Sequence, residues 1–490
     1  MHEQGKNRRM PQDICFFPEN CRIRGSVARG FAFASPQRTW YTFPMMKPFK
    51  HPAFTGETVC LWFCYAASTL FLLGFGPSGY RQITGAKLVL FFAVFGSFLA
   101  ALVICALMGR LRPLRKPGPV QILVLLYWLM TLVSAICSPW RKEALLGGAR
   151  DEGLITVTLY AAVFLALSCF AVPKRSMAAV FAAAVTADCL ICLLQFLGLN
   201  PFGLYPGDLG WADRNTGYNG AFIGLTGNAD YTAALFSLAF PLCWGAALRL
   251  RKPLYGIPAV LCLLVLILGE TKGGLLGAAC GSVLALPVVL PLGKGGRKRL
   301  WAGILCAGLA ALVLLWLLPL PGVLGEAHDL LRGRAEDSFG SGRIYIWRNT
   351  LPLLRERLLL GGGADTFPHR MTAVFTRTAE DGRVIRRTID CAHNEYLNIL
   401  VNQGLPALAC FLAALICSLS RWFRCRGGTA AALTGGALLC YAIQAFFGIS
   451  TPSCTGFFWV FWGLFEAAFR DVGSPAPGPT TIDKEGSVML

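Results

Sequence analysis

The sequence is short of charged residues, and of acidic residues above all. Asp, Glu, Lys and Arg make up only 14% of its 490 residues, and 45 Lys and Arg stand against 26 Asp and Glu. Soluble domains carry about a quarter charged residues. A chain of this length with so little charge is therefore not a string of soluble domains.

Nucleotide motifs and paired cysteines are also missing. Gly361-Gly-Gly is not followed by the Lys-Ser/Thr of a phosphate loop, and no glycine fingerprint follows a strand. The 19 cysteines are scattered, many of them inside apolar runs, without the spacing of a disulfide framework or a metal site. We therefore expect no nucleotide, no metal and no other cofactor.

Long apolar runs account for most of the chain. Hydrophobic residues make up 55% of it, and its apolar runs are long enough to cross a hydrocarbon core about 30 Å thick. The sequence predicts an all-α polytopic membrane protein with about twelve transmembrane helices. The predicted spans are 58–76, 84–108, 119–138, 153–172, 176–199, 229–248, 254–270, 273–292, 300–319, 395–419, 428–449 and 455–470.

The net charge of +19 indicates an orientation rather than a nucleic-acid partner. Sixteen cations lie in five alternate short loops that contain no acidic residue, which is the positive-inside pattern of cytoplasmic loops. They are Arg110, Arg112, Arg115, Lys116, Lys174, Arg175, Arg249, Arg251, Lys252, Lys294, Arg297, Lys298, Arg299, Arg421, Arg424 and Arg426. Both termini are then cytoplasmic, and we expect residues 1–57 to be a disordered tail and 471–490 to be a second tail.

Two predicted outer loops are long, 200–228 and 320–394. The second separates a membrane domain of nine spans (58–319) from one of three spans (395–470), and it alone has sustained mixed charge. Within it, a helix is predicted to begin at Arg343 and to kink at Pro352. The glycines at 361–363 would break that helix, and 376–388 reads as a charged turn between extended segments.

His393 is the main candidate for chemistry, because it lies in this segment at the mouth of a predicted membrane helix. A histidine there can act as a general base near neutral pH. Asp390, Asn394 and Glu395 are close enough in sequence to orient its ring. The spacing leaves open a second interpretation, in which His393 is an interfacial residue and Asp390 or Asn394 caps the helix.

Cations predicted on the outer side are the second group of candidate site residues. Arg343 opens the predicted helix, and Lys272 lies in a very short turn between two spans, where a cation is costly unless it meets an anion. Arg348 reads as part of a solvated helix face. Asp188 lies mid-span without an obvious cationic partner, so a proton-relay role and a neutral, hydrogen-bonded carboxyl both remain open.

Four stretches together resemble the O-antigen ligase and O-antigen polymerase superfamily of bacterial envelope glycosyltransferases. They are residues 225–230 (LTGNAD), 270–277 (ETKGGLLG), 342–347 (GRIYIW), and 392–397 (AHNEYL) followed by 403–405 (QGL). Their order and the long late outer loop match the family over roughly residues 60–470. The His-Asn block at 393–394 is the most specific part of the resemblance.

The resemblance implies metal-independent transfer of a glycan from an undecaprenyl-diphosphate carrier to an acceptor outside the cytoplasmic membrane. By that resemblance His393 is the base and Arg343 holds the diphosphate. The family's other key arginine falls at Lys272, which is not a conservative change at a bidentate phosphate site, so Arg214 is a candidate to share the task. We assign the remaining substrate contacts to Asn228, Trp347, Arg348, Asp390, Asn394 and Glu395.

The expected partners are the lipid-linked glycan donor, a glycan, lipid or protein acceptor, and the bilayer, with no nucleic acid. Two other functions stay open. A transporter or flippase of lipid-linked saccharides would depend on Asp188, and a non-catalytic membrane scaffold would bind a partner through its outer loop.

Overall fold

The computed structural model describes residues 54–77, 79–114, 116–199, 224–378, 384–424 and 428–470. Most of the predicted tail 1–57, the whole tail 471–490, and Arg214 with most of the loop 200–228 lie outside the described residues. The protein is mostly helical, as the sequence predicts.

Eighteen α-helices make up most of the described residues. The first ten are α1 (Gly56–Ala66), α2 (Ile83–Leu107), α3 (Pro119–Ile136), α4 (Arg141–Leu146), α5 (Leu154–Phe170), α6 (Arg175–Phe196), α7 (Ala229–Arg249), α8 (Gly256–Leu268), α9 (Lys272–Val289) and α10 (Lys294–Leu317). The others are α11 (Val323–Leu331), α12 (Phe339–Thr350), α13 (Leu354–Arg357), α14 (Phe367–Arg370), α15 (Glu395–Gln403), α16 (Leu405–Arg424), α17 (Thr429–Ala445) and α18 (Pro452–Arg470). Two strands, β1 (Val374–Thr378) and β2 (Val384–Thr388), pair in antiparallel fashion.

Each predicted span overlaps one or two of the described helices, and seven of the described helices are long and apolar enough to cross a membrane: α2, α3, α6, α7, α9, α10 and α16. The predicted span 395–419 was wrong in one respect. It is two helices, α15 and α16, because Gly404 breaks the chain between them with a φ of +91°. A side chain there would collide with the backbone at Leu359. Glu395 and Asn402 therefore belong to a short separate helix.

Close packing of small residues holds the bundle together. Helix α17 packs against α7, α9 and α18, while α5 packs against α18 and α3 against α16. At Gly281 of α9, an added Cβ would lie 2.7 Å from the Cα of Cys440 in α17. Small residues allow such close approach of membrane helices, where van der Waals contact rather than hydrophobic exclusion drives association.

The segment between α10 and α15 packs together with α15 around a small core. Its buried apolar residues are Ile346, Phe367, Met371, Ile389, Ala392 and Val401. Residues Gly340–Gly342 adopt left-handed backbone, so regular helix begins at Arg343, as predicted. Pro352 lies in the single 3-10 turn that separates α12 from α13. The extended segments are β1 and β2, but they occupy much of the range 376–388 that was predicted as a charged turn.

A turn at residues 360–366 attaches this segment to the bundle. The Ser138 hydroxyl at the end of α3 donates to the Gly362 carbonyl, at 2.5 Å. The Asp365 carboxylate accepts hydrogen bonds from the backbone N–H groups of Gly148 (2.6 Å), Arg150 (3.0 Å) and Glu152 (3.2 Å). One carboxylate thus fixes the loop between α4 and α5.

Asp188 does have a cationic neighbour, so the expectation that it lacks one was wrong. Lys87 of α2 and Asp188 of α6 are both buried, and their charges interact. The Lys87 amine donates to the Phe71 carbonyl at 2.7 Å, and Asp188 accepts from the Leu225 N–H at 3.1 Å. These two residues are 101 positions apart in the sequence, so only the tertiary structure reveals the interaction.

Candidate active site

His393 lies in the short turn between β2 and α15. Asn394 caps α15, since its side-chain oxygen accepts from the Leu397 N–H at 3.0 Å. The His393 backbone has a φ of +47°, a left-handed conformation that non-glycine residues adopt mainly where surrounding structure enforces it. The Trp347 indole helps to enforce it by donating to the Ala392 carbonyl at 3.0 Å. The helix α12 thus sets the position of the histidine.

Arg343 lies on one side of His393 and is held by backbone carbonyls. Its Nε and Nη2 atoms donate to the Phe447 carbonyl at 3.1 and 3.0 Å, and its Nη1 donates to the Gly340 carbonyl at 2.7 Å. The Asp230 carboxylate lies 3.9 Å from Nη2. Asp230 is in the first turn of α7, where Asn228 is the N-cap. Two of the resemblance motifs, 225–230 and 342–347, therefore meet here.

Lys272 reaches the same region through Glu326. Its amine lies 4.0 Å from the Glu326 carboxylate, and that carboxylate also accepts from the Gly340 N–H at 3.0 Å. Lys272 is half-exposed, with 52% of its side chain accessible. The early turn at Lys272 and the loop that begins α12 are therefore neighbours in space, although about 70 residues separate them.

Arg150 is a second arginine near His393, and it is absent from the site residues predicted from the sequence. Its Nη2 atom lies 2.7 Å from the Asp390 carboxylate, and its Nη1 atom donates to the Tyr231 hydroxyl. Only 16% of its side chain is exposed. A signal was present in the sequence: Arg150 is a cation in a loop that the positive-inside rule places outside.

The charges around His393 set its protonation. Burial lowers the pKa of His393 to about 4, with Arg343 and Arg150 contributing further lowering and Asp230 and Asp390 opposing it. The imidazole is therefore neutral at neutral pH and free to accept a proton. Two arginine–aspartate pairs, Arg343–Asp230 and Arg150–Asp390, flank it.

The other predicted site residues lie in three different environments. Asn228 and Asn394 cap the helices that present Asp230 and His393. Arg348 instead lies on an exposed helix face, bonded to Asp337 at 2.7 Å. Glu395 is buried and accepts from the Tyr441 hydroxyl at 2.9 Å.

Asp390, Cys391 and His393 form one group that could hold a metal ion, since their ligand atoms lie within 4.8 Å of one another. Two features argue against that use. Asp390 is already paired with Arg150. Burial raises the pKa of the Cys391 thiol to about 12, whereas metal binding requires the thiolate.

The comparison with known proteins includes three residues of this cluster. Residues 257–412 match the family model described as O-antigen ligase. The matched segment, about a third of the chain, is similar to the O-antigen ligase family. The matched range includes Lys272, Arg343 and His393, and it confirms the resemblance to the O-antigen ligase and polymerase superfamily. The match supports a membrane enzyme that transfers glycosyl groups. Neither the curated proteins nor the solved structures include a significant match to the chain.

Proposed function

We propose that this protein transfers a glycan from an undecaprenyl-diphosphate carrier to an acceptor hydroxyl, with His393 as the general base. The observation that carries the proposal is a neutral histidine, held in a strained turn between two arginine–aspartate pairs, inside the segment that is similar to the O-antigen ligase family. The acceptor is a glycan, a lipid or a protein.

The proposed transfer requires one general base and cationic groups that stabilise the leaving diphosphate. His393 removes the proton from the acceptor hydroxyl while that oxygen attacks the anomeric carbon of the glycan. The bond from this carbon to the phosphate oxygen breaks, and the lipid diphosphate leaves with the electron pair. Arg343 and Lys272 neutralise the charge that develops on it. Binding of the diphosphate also screens Arg343, which raises the basicity of His393 when the donor is in place.

The proposed topology has twelve spans, with both termini in the cytoplasm and residues 320–394 outside the cytoplasmic membrane. The cationic loops support this orientation. The start of α12, the turn before α15 and the start of α9 then share the outer side, where lipid-linked glycans would meet their acceptors.

The test is His393→Ala with His369→Ala as its matched control. His369 lies in the same outer segment, exposed and stacked on Trp140, and it is not among the charged groups that act on His393. Both variants should reach the membrane in normal amounts. Transfer should fall about 100- to 10,000-fold in His393→Ala, with the lipid-linked donor accumulating, and should be unchanged in His369→Ala. Undiminished transfer by His393→Ala would overturn the proposal.

A transporter remains the second candidate because Lys87 and Asp188 form a buried charge pair. Asp188 also binds the backbone at Leu225, close to the Asn228 cap, so a role in shaping the site explains it as well. A transporter would lose function in Asp188→Asn and keep it in His393→Ala.

A further inference from the structure

A polar cavity lies beside Arg150. Its volume is about 240 Å³, and its walls come from four separate parts of the chain. The lining residues that matter here are Arg150, Thr84, Asn228, Tyr231, Thr451 and Ser453. The cavity adjoins the proposed catalytic cluster, because Arg150 itself binds Asp390, three residues before His393.

Arg150 gives the cavity its positive charge. Two of its guanidinium nitrogens bind Asp390 and Tyr231, whereas its buried Nε has no hydrogen-bond partner among the described residues. Arginine has five N–H donors, so the Arg150 guanidinium keeps donors for an anionic ligand beyond those that bind Asp390 and Tyr231. The backbone of Arg150 is fixed by Asp365, so the guanidinium is presented from a rigid loop.

Three long helices also begin at this cavity. Thr84 is in the first turn of α2, Asn228 caps α7, and Ser453 is the second residue of α18. Each helix N-terminus carries the equivalent of about half a positive charge. Asn228 and Thr451 already accept first-turn N–H groups, so the helices contribute mainly through their dipoles. The hydroxyls of Thr84 and Ser453 are the hydrogen-bond donors that accompany Arg150.

Acidic side chains in and near the cavity offset only part of its positive charge. Asp151 lines the cavity, and burial together with the neighbouring Asp365 raises its pKa. Asp390 is balanced by Arg150 itself, and Asp230 lies against Arg343. Within the cavity, one carboxyl group, that of Asp151, therefore opposes the positive charge of the Arg150 guanidinium and of three helix N-termini.

We propose that this cavity binds a phosphate oxyanion of the donor diphosphate, with Arg150 as its principal side-chain ligand. The proposal rests on the proposed function and deepens it, because it places the leaving group next to His393. In this arrangement Arg150 supplies the bidentate contact that Lys272 cannot make. The same chemistry would also suit the phosphate of an anionic phospholipid, so the experiment must separate these two sources.

The experiment measures binding to the full chain in detergent micelles without any acceptor. The probes are undecaprenyl diphosphate, inorganic pyrophosphate and phosphatidylglycerol. We expect the first two to compete for one site, and Arg150→Gln to weaken both roughly 10- to 100-fold, as the loss of charged hydrogen bonds predicts. Arg355→Gln is the control, because Arg355 is an exposed arginine of the same outer segment with no assigned substrate contact, and this variant should bind both probes normally.

A second variant separates ligand binding from a structural role. Asp390→Asn leaves the Arg150 cation in place and removes its partner, so binding should be unchanged or stronger. Equal weakening in Arg150→Gln and Asp390→Asn would mean that the ion pair only shapes the site, and would overturn the proposal. Unchanged binding in Arg150→Gln would do the same. Displacement of undecaprenyl diphosphate by phosphatidylglycerol at equal concentration would assign the cavity to phospholipids.

The outcome is independent of the catalytic test. Donor binding is measured without transfer, so an active His393→Ala variant would refute the base while leaving the Arg150 result standing. Normal donor binding in Arg150→Gln would refute the cavity while leaving His393 untouched.

Discussion

Glu395 allows a quantitative test of the interior beneath the candidate site. Its carboxyl is 7% exposed, accepts from the Tyr441 hydroxyl at 2.9 Å, and lines a small cavity with Glu152 and Asn402. Burial raises its pKa from 4.5 to about 8, and the nearby Glu152 adds to the rise. In the folded protein this carboxyl therefore stays protonated at pH values where the unfolded chain is ionised.

The sign of the pH dependence follows from this difference. A group whose pKa is raised on folding stabilises the protein fully below the unfolded pKa, and the stabilisation is lost as the pH rises through the folded pKa. Between about pH 5 and pH 8, the free energy of unfolding should therefore fall by about 1.4 kcal/mol per pH unit on account of Glu395. From pH 6 to pH 8 the loss amounts to roughly 2–3 kcal/mol.

Glu395→Gln should remove this dependence. The glutamine keeps a carbonyl oxygen for the Tyr441 hydroxyl and cannot ionise. We expect the thermal midpoint of the wild-type protein in detergent to fall between pH 6 and pH 8 by a few degrees more than that of the variant. Glu336→Gln, at an exposed position, should follow the wild type. Parallel curves for Glu395→Gln and the wild type would refute the assignment of a buried, protonated carboxyl.

Two further predictions concern catalysis and packing. Because the pKa of His393 is lowered to about 4, the acid limb of kcat/KM, which reports the donor-free enzyme, should fall near pH 4; a limb near pH 6.5 would contradict the proposed environment. Gly281→Ala should lower the thermal midpoint, since its Cβ would lie 2.7 Å from the Cα of Cys440. Gly303→Ala in α10, where a Cβ meets nothing within 4 Å, is the control, and equal midpoints for the two variants would argue against close packing of α9 and α17.

Local sequence was sufficient for the helices and for parts of the outer segment. Hydropathy is summed over one continuous stretch, so each span could be located without knowing its neighbours. Helical periodicity placed the start of regular helix at Arg343, and turn and charge patterns indicated a turn with extended segments near 376–388, although they did not give the bounds of the two strands. The error at 395–419 arose because a window of apolar residues does not detect a break that depends on the backbone of Leu359 against Gly404.

In the candidate site, too, some residues could be predicted from the sequence and others could not. The residues 225–230, 270–277, 342–347 and 392–397 were recognisable from short patterns, and His393 and Arg343 were selected before any geometry was known. Arg150 was missed because its significance depends on Asp390, 240 residues away. No sequence pattern near Arg150 indicates its contact with Asp390, and no pattern near Asp390 indicates the contact either.

The sequence by itself determined that this chain is a helical membrane protein with a late polar segment and a histidine at that segment's end. Composition and periodicity are local properties, and the bilayer converts them directly into helices. Tertiary structure alone decided which charges meet: Lys87 with Asp188, Lys272 with Glu326, and Arg150 with Asp390. Electrostatic pairing depends on distances in space, and these are fixed only when helices from distant parts of the chain have packed.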